Sequence, residues 1–148
     1  MAGNYSSDPV YQQWLGTLGF LEGNATRQAD DARTRATNQY DFAAEGIGID
    51  RERNVEAIGG NFENRGLTRS GEHLKRRAES LRDSNRAMGG LELNTADRFA
   101  DIENGLMSEL AQLQLRNSDQ MYDAEGRLAS RAGADYDYQQ RRAFLEAG

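Results

Sequence analysis

The sequence predicts an all-α protein made of long helices, and three observations support this class. Valine occurs twice and proline once in 148 residues, and there is no alternating apolar run of the kind that strands need. Apolar residues instead recur three and four positions apart over long stretches. Leu, Ile, Val and Phe together form only roughly 17% of the chain, below the level of about 20% that usually supports a compact core. We therefore expect elongated helices in a coiled-coil-like bundle that oligomerisation completes.

The first predicted helix covers residues 9–64 and follows a flexible N-terminal arm, residues 1–8. Asp8 can accept hydrogen bonds from the free amides of the first turn, and Pro9 suits the first helical position. Steps of four, four and three residues land on an apolar or aromatic side chain throughout Val10–Ile47. This eleven-residue repeat, about 3.67 residues per turn, indicates a nearly straight or slightly right-handed helix.

Small residues weaken this first helix and its apolar stripe. Gly46 and Gly48 each cost roughly 1 kcal/mol relative to alanine, which favours a bend near residues 46–48. The middle of the stripe consists of alanines, which bury little area. We therefore expect an isolated monomer to be unstable or partly unfolded and to gain order in an assembly.

The stretch "NFENRGLTRSGEHLKRR" is interpreted as a joint between helices, with a turn at residues 65–71. The spacing of its two glycines is that of a phosphate-binding loop, but Glu72 and His73 stand where lysine and a hydroxyl residue are needed. A left-handed cap glycine, its usual hydrophobic contact and a new N-cap explain the stretch better. The predicted joint residues are Gly66, Leu67, Ser70 and Gly71.

Beyond the joint, the sequence predicts a helix over residues 72–88, a break at 89–94 and a long helix over 95–147. The Gly89–Gly90 pair motivates the break, and Asn94 or Thr95 is the expected cap of the last helix. The eleven-residue stepping returns in this helix, where Asn117 interrupts the stripe either as a register-setting polar residue or as a packing flaw.

The apolar stripes supply the candidate interface for other copies or partners. An ordinary helix core and an anchor for a partner's groove are equally good interpretations of the dense apolar patch around Trp14. The predicted interface residues are Val10, Trp14, Leu18, Leu21, Tyr40, Ile47, Phe99, Ile102, Leu106, Leu110, Leu113 and Leu128.

Charge and composition argue against several classes of function. The net charge of -6 disfavours a dedicated nucleic-acid binder, and the absence of cysteine excludes disulfides and thiolate metal sites. We see no signal peptide and no apolar run near the ~20 residues of a membrane-spanning helix. His73, the single histidine, is expected to be a solvated residue at a helix start. We therefore predict no catalytic, metal-binding or cofactor-binding residue.

One region carries a net positive charge, although the chain as a whole is acidic. Seven basic and three acidic side chains fall between Arg65 and Arg86, a local excess that favours docking onto an acidic protein surface, with a solvated charged face as the alternative. Nucleic acid is the less favoured partner, since the aromatic residues of a single-strand binder are missing. The predicted basic docking patch contains Arg65, Arg69, Lys75, Arg76, Arg77, Arg82 and Arg86.

The run "NRGLTRSG" between two charged helices resembles small helical virion proteins of tailed bacteriophages, in which an Arg-Gly-Leu-x-x-Ser-Gly turn joins long helices. Basic residues are seventeen arginines and one lysine, a usage similar to phages of GC-rich, actinobacterial hosts. The resemblance implies a non-enzymatic structural protein of the virion, of the minor tail, tail-tip or connector type. Its partners would be further copies of itself and other virion proteins. An internal ejection protein or a scaffolding protein is the alternative.

Overall fold

A computed structural model describes residues 5–64, 66 and 71–147, and it confirms the all-α prediction. A 3-10 turn at Tyr5–Ser7 precedes helix α1, Pro9–Asn64, and helix α2, Gly71–Ala147, follows the joint. The two helices pack against each other, and no strand is present in the described part of the chain.

Helix α1 begins where the sequence predicted, because Asp8 caps it. The amide of Tyr11 donates to the Asp8 carboxylate over 3.0 Å, and the Asp8 carbonyl accepts from Gln12 over 3.0 Å. The prediction of a flexible arm is wrong for residues 5–8, since the Asp8 amide donates to the Tyr5 carbonyl and closes the 3-10 turn. Residues 1–4 lie outside the described residues. Helix α1 is continuous through both glycines of the predicted bend.

The end of α1 shows the expected glycine cap. Gly66 has a φ of 69°, and its amide donates to the Glu63 carbonyl over 3.0 Å. A side chain would be strained in this left-handed conformation, so glycine is the fitting residue. Gly71 is the first residue of α2. The roles predicted for Leu67 and Ser70 fall outside the described residues.

The predicted break at residues 89–94 is wrong, because α2 continues through Gly89 and Gly90. Thr95 does not cap a new helix, since its hydroxyl donates to the Leu91 carbonyl over 2.8 Å within the same helix. Two glycines cost roughly 2 kcal/mol relative to alanine. The half-buried neighbours Met88 and Leu91 supply packing that offsets a cost of this size.

The chain divides into two compact units, to each of which both helices contribute. Unit 1 lies within residues 1–28 and 105–148, and unit 2 comprises residues 29–104. In both units the helices run antiparallel. In unit 1 Tyr11, near the start of α1, contacts Asn117 of α2. In unit 2 Phe62, near the end of α1, contacts His73 at the start of α2, and the earlier residue Arg33 pairs with the later residue Glu103. The buried apolar residues of unit 1 are Tyr11, Ala25, Leu113 and Ala124, and those of unit 2 are Ala29, Ala36 and Phe62. Four of these seven are alanines, so the described part of the chain has a thin core.

Candidate docking surfaces

The start of α1 in unit 1 is fixed to α2 by a buried carboxylate. Asp8 has no exposed surface, and its Oδ2 accepts from Arg127 through Nε at 3.2 Å and Nη2 at 2.8 Å. The Arg131 guanidinium lies 4.0 Å from the other carboxylate oxygen. The Arg127 hydrogen bond is the main cause that lowers the pKa of Asp8, the Tyr11 amide adds to it, and burial acts in the opposite direction. This arrangement favours a charged Asp8 that holds the two helices together.

Asn117 forms the second polar contact between the helices of unit 1. Its Oδ1 accepts from the Tyr11 hydroxyl at 3.2 Å and from the Trp14 indole nitrogen at 3.1 Å. Its amide nitrogen lies 3.8 Å from the sulfur of Met121, within the range of a weak hydrogen bond. Asn117 therefore has partners for its side chain, which agrees with the register-setting interpretation. Arg127 could not be identified from the sequence, because a partner 119 residues away leaves no local pattern.

The predicted interface residues are covered to very different extents by the chain itself. Leu113 is buried, and Val10 is 47% exposed. Tyr40 and Phe99 line one small cavity in unit 2, so the fold brings these two predicted residues together. The half-buried remainder is Trp14, Leu18, Leu21, Tyr40, Ile47, Phe99, Ile102, Leu106, Leu110 and Leu128. The stripes thus pack partly within the chain, and their role between chains stays a prediction.

Unit 2 has an aromatic contact next to the joint. Phe62 is 2% exposed, and its ring meets the His73 ring edge-on at 5.1 Å between centroids. The Arg76 guanidinium lies 5.7 Å from the centre of the Phe62 ring and pairs with Glu72 at 3.4 Å. The prediction of a solvated His73 is therefore wrong, since this residue is only 8% exposed and its ring packs on Phe62. An isolated histidine in a sequence does not reveal a partner on another helix.

The basic docking patch is exposed where it is described. Arg76 is engaged with Phe62 and Glu72, whereas the other described members form no ion pair with any described residue. These other members are Lys75, Arg77, Arg82 and Arg86. Arg65 and Arg69 lie outside the described residues. The described patch can therefore offer four unpaired cations to a partner.

Between α1 and α2 of unit 2 lies an open groove of about 740 Å³. Its walls carry charges of both signs together with small residues: Ile47, Asp50, Arg51, Asn54, Ala57, Ile58, Arg76, Glu79, Ser80, Asp83, Ser84 and Ala87. The described residues contain no group of three acidic or histidine side chains that could hold a metal ion. Neither described α-helix has a segment long and apolar enough to cross a membrane.

Large apolar side chains on the surface form the most extensive candidate docking feature. Tyr11, Phe62 and Leu113 are the only large apolar residues that are buried in the described part of the chain. Fifteen others are exposed: Val10, Leu15, Phe20, Phe42, Ile49, Leu74, Leu81, Leu93, Met107, Leu115, Tyr122, Tyr136, Tyr138, Phe144 and Leu145. They occur along both helices and in both units.

Comparison of the chain with protein-family models, curated proteins and solved structures finds no match.

Proposed function

We propose that this chain is a non-enzymatic structural protein of a bacteriophage virion, a tail-tip, minor tail or connector component. Its helices would bundle with further copies and dock onto neighbouring virion proteins. The observation that carries the assembly role is the excess of exposed over buried large apolar side chains in the described residues. The short Arg-Gly-Leu-x-x-Ser-Gly resemblance and the arginine usage support the assignment to a phage particle.

Most of the hydrophobic free energy that large side chains could contribute is not used within one chain. Burial of a Leu or Phe side chain contributes roughly 1.5–3 kcal/mol, and alanines contribute much less. Because four of the seven buried apolar residues are alanines, packing of α1 on α2 uses little of the available apolar area. Phe42 and Phe144 are both 81% exposed and would gain the most from contact with another chain.

Sedimentation of the purified full-length chain over a wide concentration range tests the assembly role. We expect the weight-average mass to rise with concentration, and helix content and thermal stability to rise with it. A compact monomer that unfolds cooperatively at every concentration would contradict the proposal.

Mass spectrometry of purified particles from the virus that encodes the chain tests the virion assignment. A structural component remains in finished particles, at a copy number set by its position. A scaffolding protein would be present in assembly intermediates and absent from finished virions.

The exposed cations of α2 favour an internal protein that contacts DNA as the second candidate. Lys75, Arg82 and Arg86 lie seven and four positions apart and therefore on one face of α2, although Glu79 shares that face. Duplex DNA binding would weaken steeply with salt. Arg82→Gln together with Arg86→Gln would reduce that salt dependence, and Arg116→Gln, at an exposed arginine of unit 1, is the control. Binding that is unaffected by the double substitution would exclude this candidate.

A further inference from the structure

Beyond Arg131, the last part of α2 forms no hydrogen bond or ion pair with α1 or with Asp8 in the described part of the chain. Ala124 is completely buried and Leu128 is half-buried, whereas every residue from 129 to 147 is exposed. We call residues 129–147 the α2 tail. It forms a continuous helix of nineteen residues, about 28 Å long at ~1.5 Å per residue.

One face of the α2 tail continues the face that packs on α1. Steps of three and four residues lead from Leu128 through Arg131 and Asp135 to Tyr138, and the next two steps reach Arg142 and Leu145. Arg131 marks the end of the intrachain contact, because its guanidinium lies 4.0 Å from Asp8. The residues of this face within the tail are Arg131, Asp135, Tyr138, Arg142 and Leu145. The packing surface of α2 thus extends beyond the segment that α1 covers.

The apolar members of this face are strongly exposed. Tyr138 is 67% and Leu145 is 77% exposed. Burial of both side chains in a complex would contribute hydrophobic free energy, and a tyrosine can keep its hydroxyl in water at the edge of a helix pair. A partner is therefore expected to cover this face.

The charges of the α2 tail are complementary to those of a second α2 tail that runs antiparallel to it. Three acidic and three basic side chains give it no net charge, whereas the whole chain carries -6. The acidic pair Asp135 and Asp137 precedes the basic pair Arg141 and Arg142. An antiparallel copy places these pairs opposite each other, and a parallel copy places like charges together.

We propose that the α2 tail binds the α2 tail of a second copy in antiparallel orientation. Asp135 of each copy lies opposite Arg142 of the other, which brings the two Tyr138 rings side by side near the two-fold axis. The same register places Arg131 opposite Glu146. Within one copy Arg142 pairs with Glu146 at 3.0 Å in an exposed contact, so association would replace this pair by the pairs between the two copies. This inference rests on the self-association in the proposed function and does not depend on the virion assignment.

Charge reversal in the full-length chain tests the pairing. Asp135→Arg and Arg142→Asp should each weaken association about tenfold or more, because the symmetry repeats each like-charge contact. The double variant should restore association, since it exchanges the charges. Asp119→Arg, an exposed site of α2 outside the tail, should leave association unchanged. Circular dichroism of every variant verifies that the intrachain helices persist.

Cross-linking provides an independent readout, because the chain contains no cysteine. Tyr138→Cys should give a covalent dimer with a short bismaleimide, and Tyr122→Cys, at a 78% exposed site before the tail, should not. A chain that associates but is insensitive to both charge reversals and forms no Tyr138→Cys dimer would overturn the inference alone. A chain that remains monomeric throughout would overturn the inference and the proposed assembly role together. Failure of the double variant to recover would contradict the antiparallel register.

Discussion

The two units hold α1 against α2 by different means. In unit 1, Asp8 and Asn117 accept four hydrogen bonds that cross between the helices, from Arg127, Tyr11 and Trp14. In unit 2, Arg98 donates to Gln39 and Arg33 lies 3.7 Å from Glu103, and both of these contacts between the helices are accessible to solvent. The large apolar side chain that is buried in the described part of unit 2 is Phe62, and a groove of about 740 Å³ lies between the two helices. Hydrogen bonds are directional and fix a register, whereas small-residue packing allows close approach with little specificity. We therefore expect substitution of the buried polar contacts to have the larger effect in unit 1, and substitution of the buried aromatic side chain in unit 2.

Loss of the Phe62 ring should have the largest effect. Phe62→Ala is expected to cost about 3 kcal/mol, since it removes a buried ring that packs on His73 and Arg76. Urea unfolding followed by circular dichroism measures this, and Phe62→Leu is the milder variant if the alanine variant does not fold. Phe42→Ala, at an 81% exposed phenylalanine of the same helix and unit, should change stability by less than about 0.5 kcal/mol in dilute solution. Equal effects at the two sites would contradict the role of Phe62.

Loss of the Asp8 charge should have the next largest effect and should depend on pH. Asp8→Asn keeps an N-cap side chain but removes the ion pair with Arg127, so we expect a melting temperature several degrees lower at pH 7. Because the pKa of folded Asp8 is lowered, its contribution is fully present above the unfolded-state pKa. The contribution is lost as the pH falls through the folded pKa.

Melting curves of both proteins between pH 7 and pH 2 measure this dependence. The stabilities of the original chain and Asp8→Asn should converge at the acidic end, where both side chains are neutral. Asp31→Asn removes the same charge from an exposed site and should not reproduce the difference at pH 7. A constant difference over the whole range would show that charge pairing is not its cause.

Removal of the Asn117 side chain should have a moderate effect confined to unit 1. Asn117→Ala leaves the hydroxyl of Tyr11 and the indole nitrogen of Trp14 without their acceptor, at a cost of about 1–2 kcal/mol. Because Trp14 is the only tryptophan, its fluorescence reports on unit 1, and we expect a shift to longer wavelength. Ser118→Ala, at the next and exposed position, should leave the emission unchanged.

The smallest expected effect lies in unit 2 and has the opposite sign. The hydroxyl oxygen of Ser80 is buried without a hydrogen-bond partner among the described residues. Ser80→Ala should therefore raise the free energy of unfolding, by up to about 1 kcal/mol. Ser84 lines the same groove, and Ser84→Ala brings the same gain in helix propensity. The difference in stabilisation between the two variants therefore measures the effect of the buried Ser80 hydroxyl. A loss of stability at Ser80 would indicate a polar partner in solution.

The sequence predicted the helices better than it predicted their contacts. Asp8 and Pro9 located the start of α1, and Gly66 located its end, because capping depends on residues next to each other. The Gly89–Gly90 pair led to the wrong prediction of a break, since the local propensity cost of two glycines is smaller than the stabilisation that packing gives a long helix. The Asp8–Arg127 pair and the burial of His73 could not be predicted, because each depends on how two helices are aligned. Local sequence signals therefore predicted where the helices begin and end, whereas the alignment of α1 against α2 was visible only in the structure.

The acceptor oxygen of Asn117 also bears on how unit 1 can misfold. Alanines such as Ala25 and Ala124 present smooth surfaces, so one helix could slide along the other by a turn, about 5.4 Å, without a steric clash. Such a slip would separate Asn117 from both Tyr11 and Trp14 at once. Together with the Asp8–Arg127 pair, this amide side chain therefore distinguishes the correct alignment from alignments shifted by one turn, which apolar contacts alone would leave nearly equal in free energy.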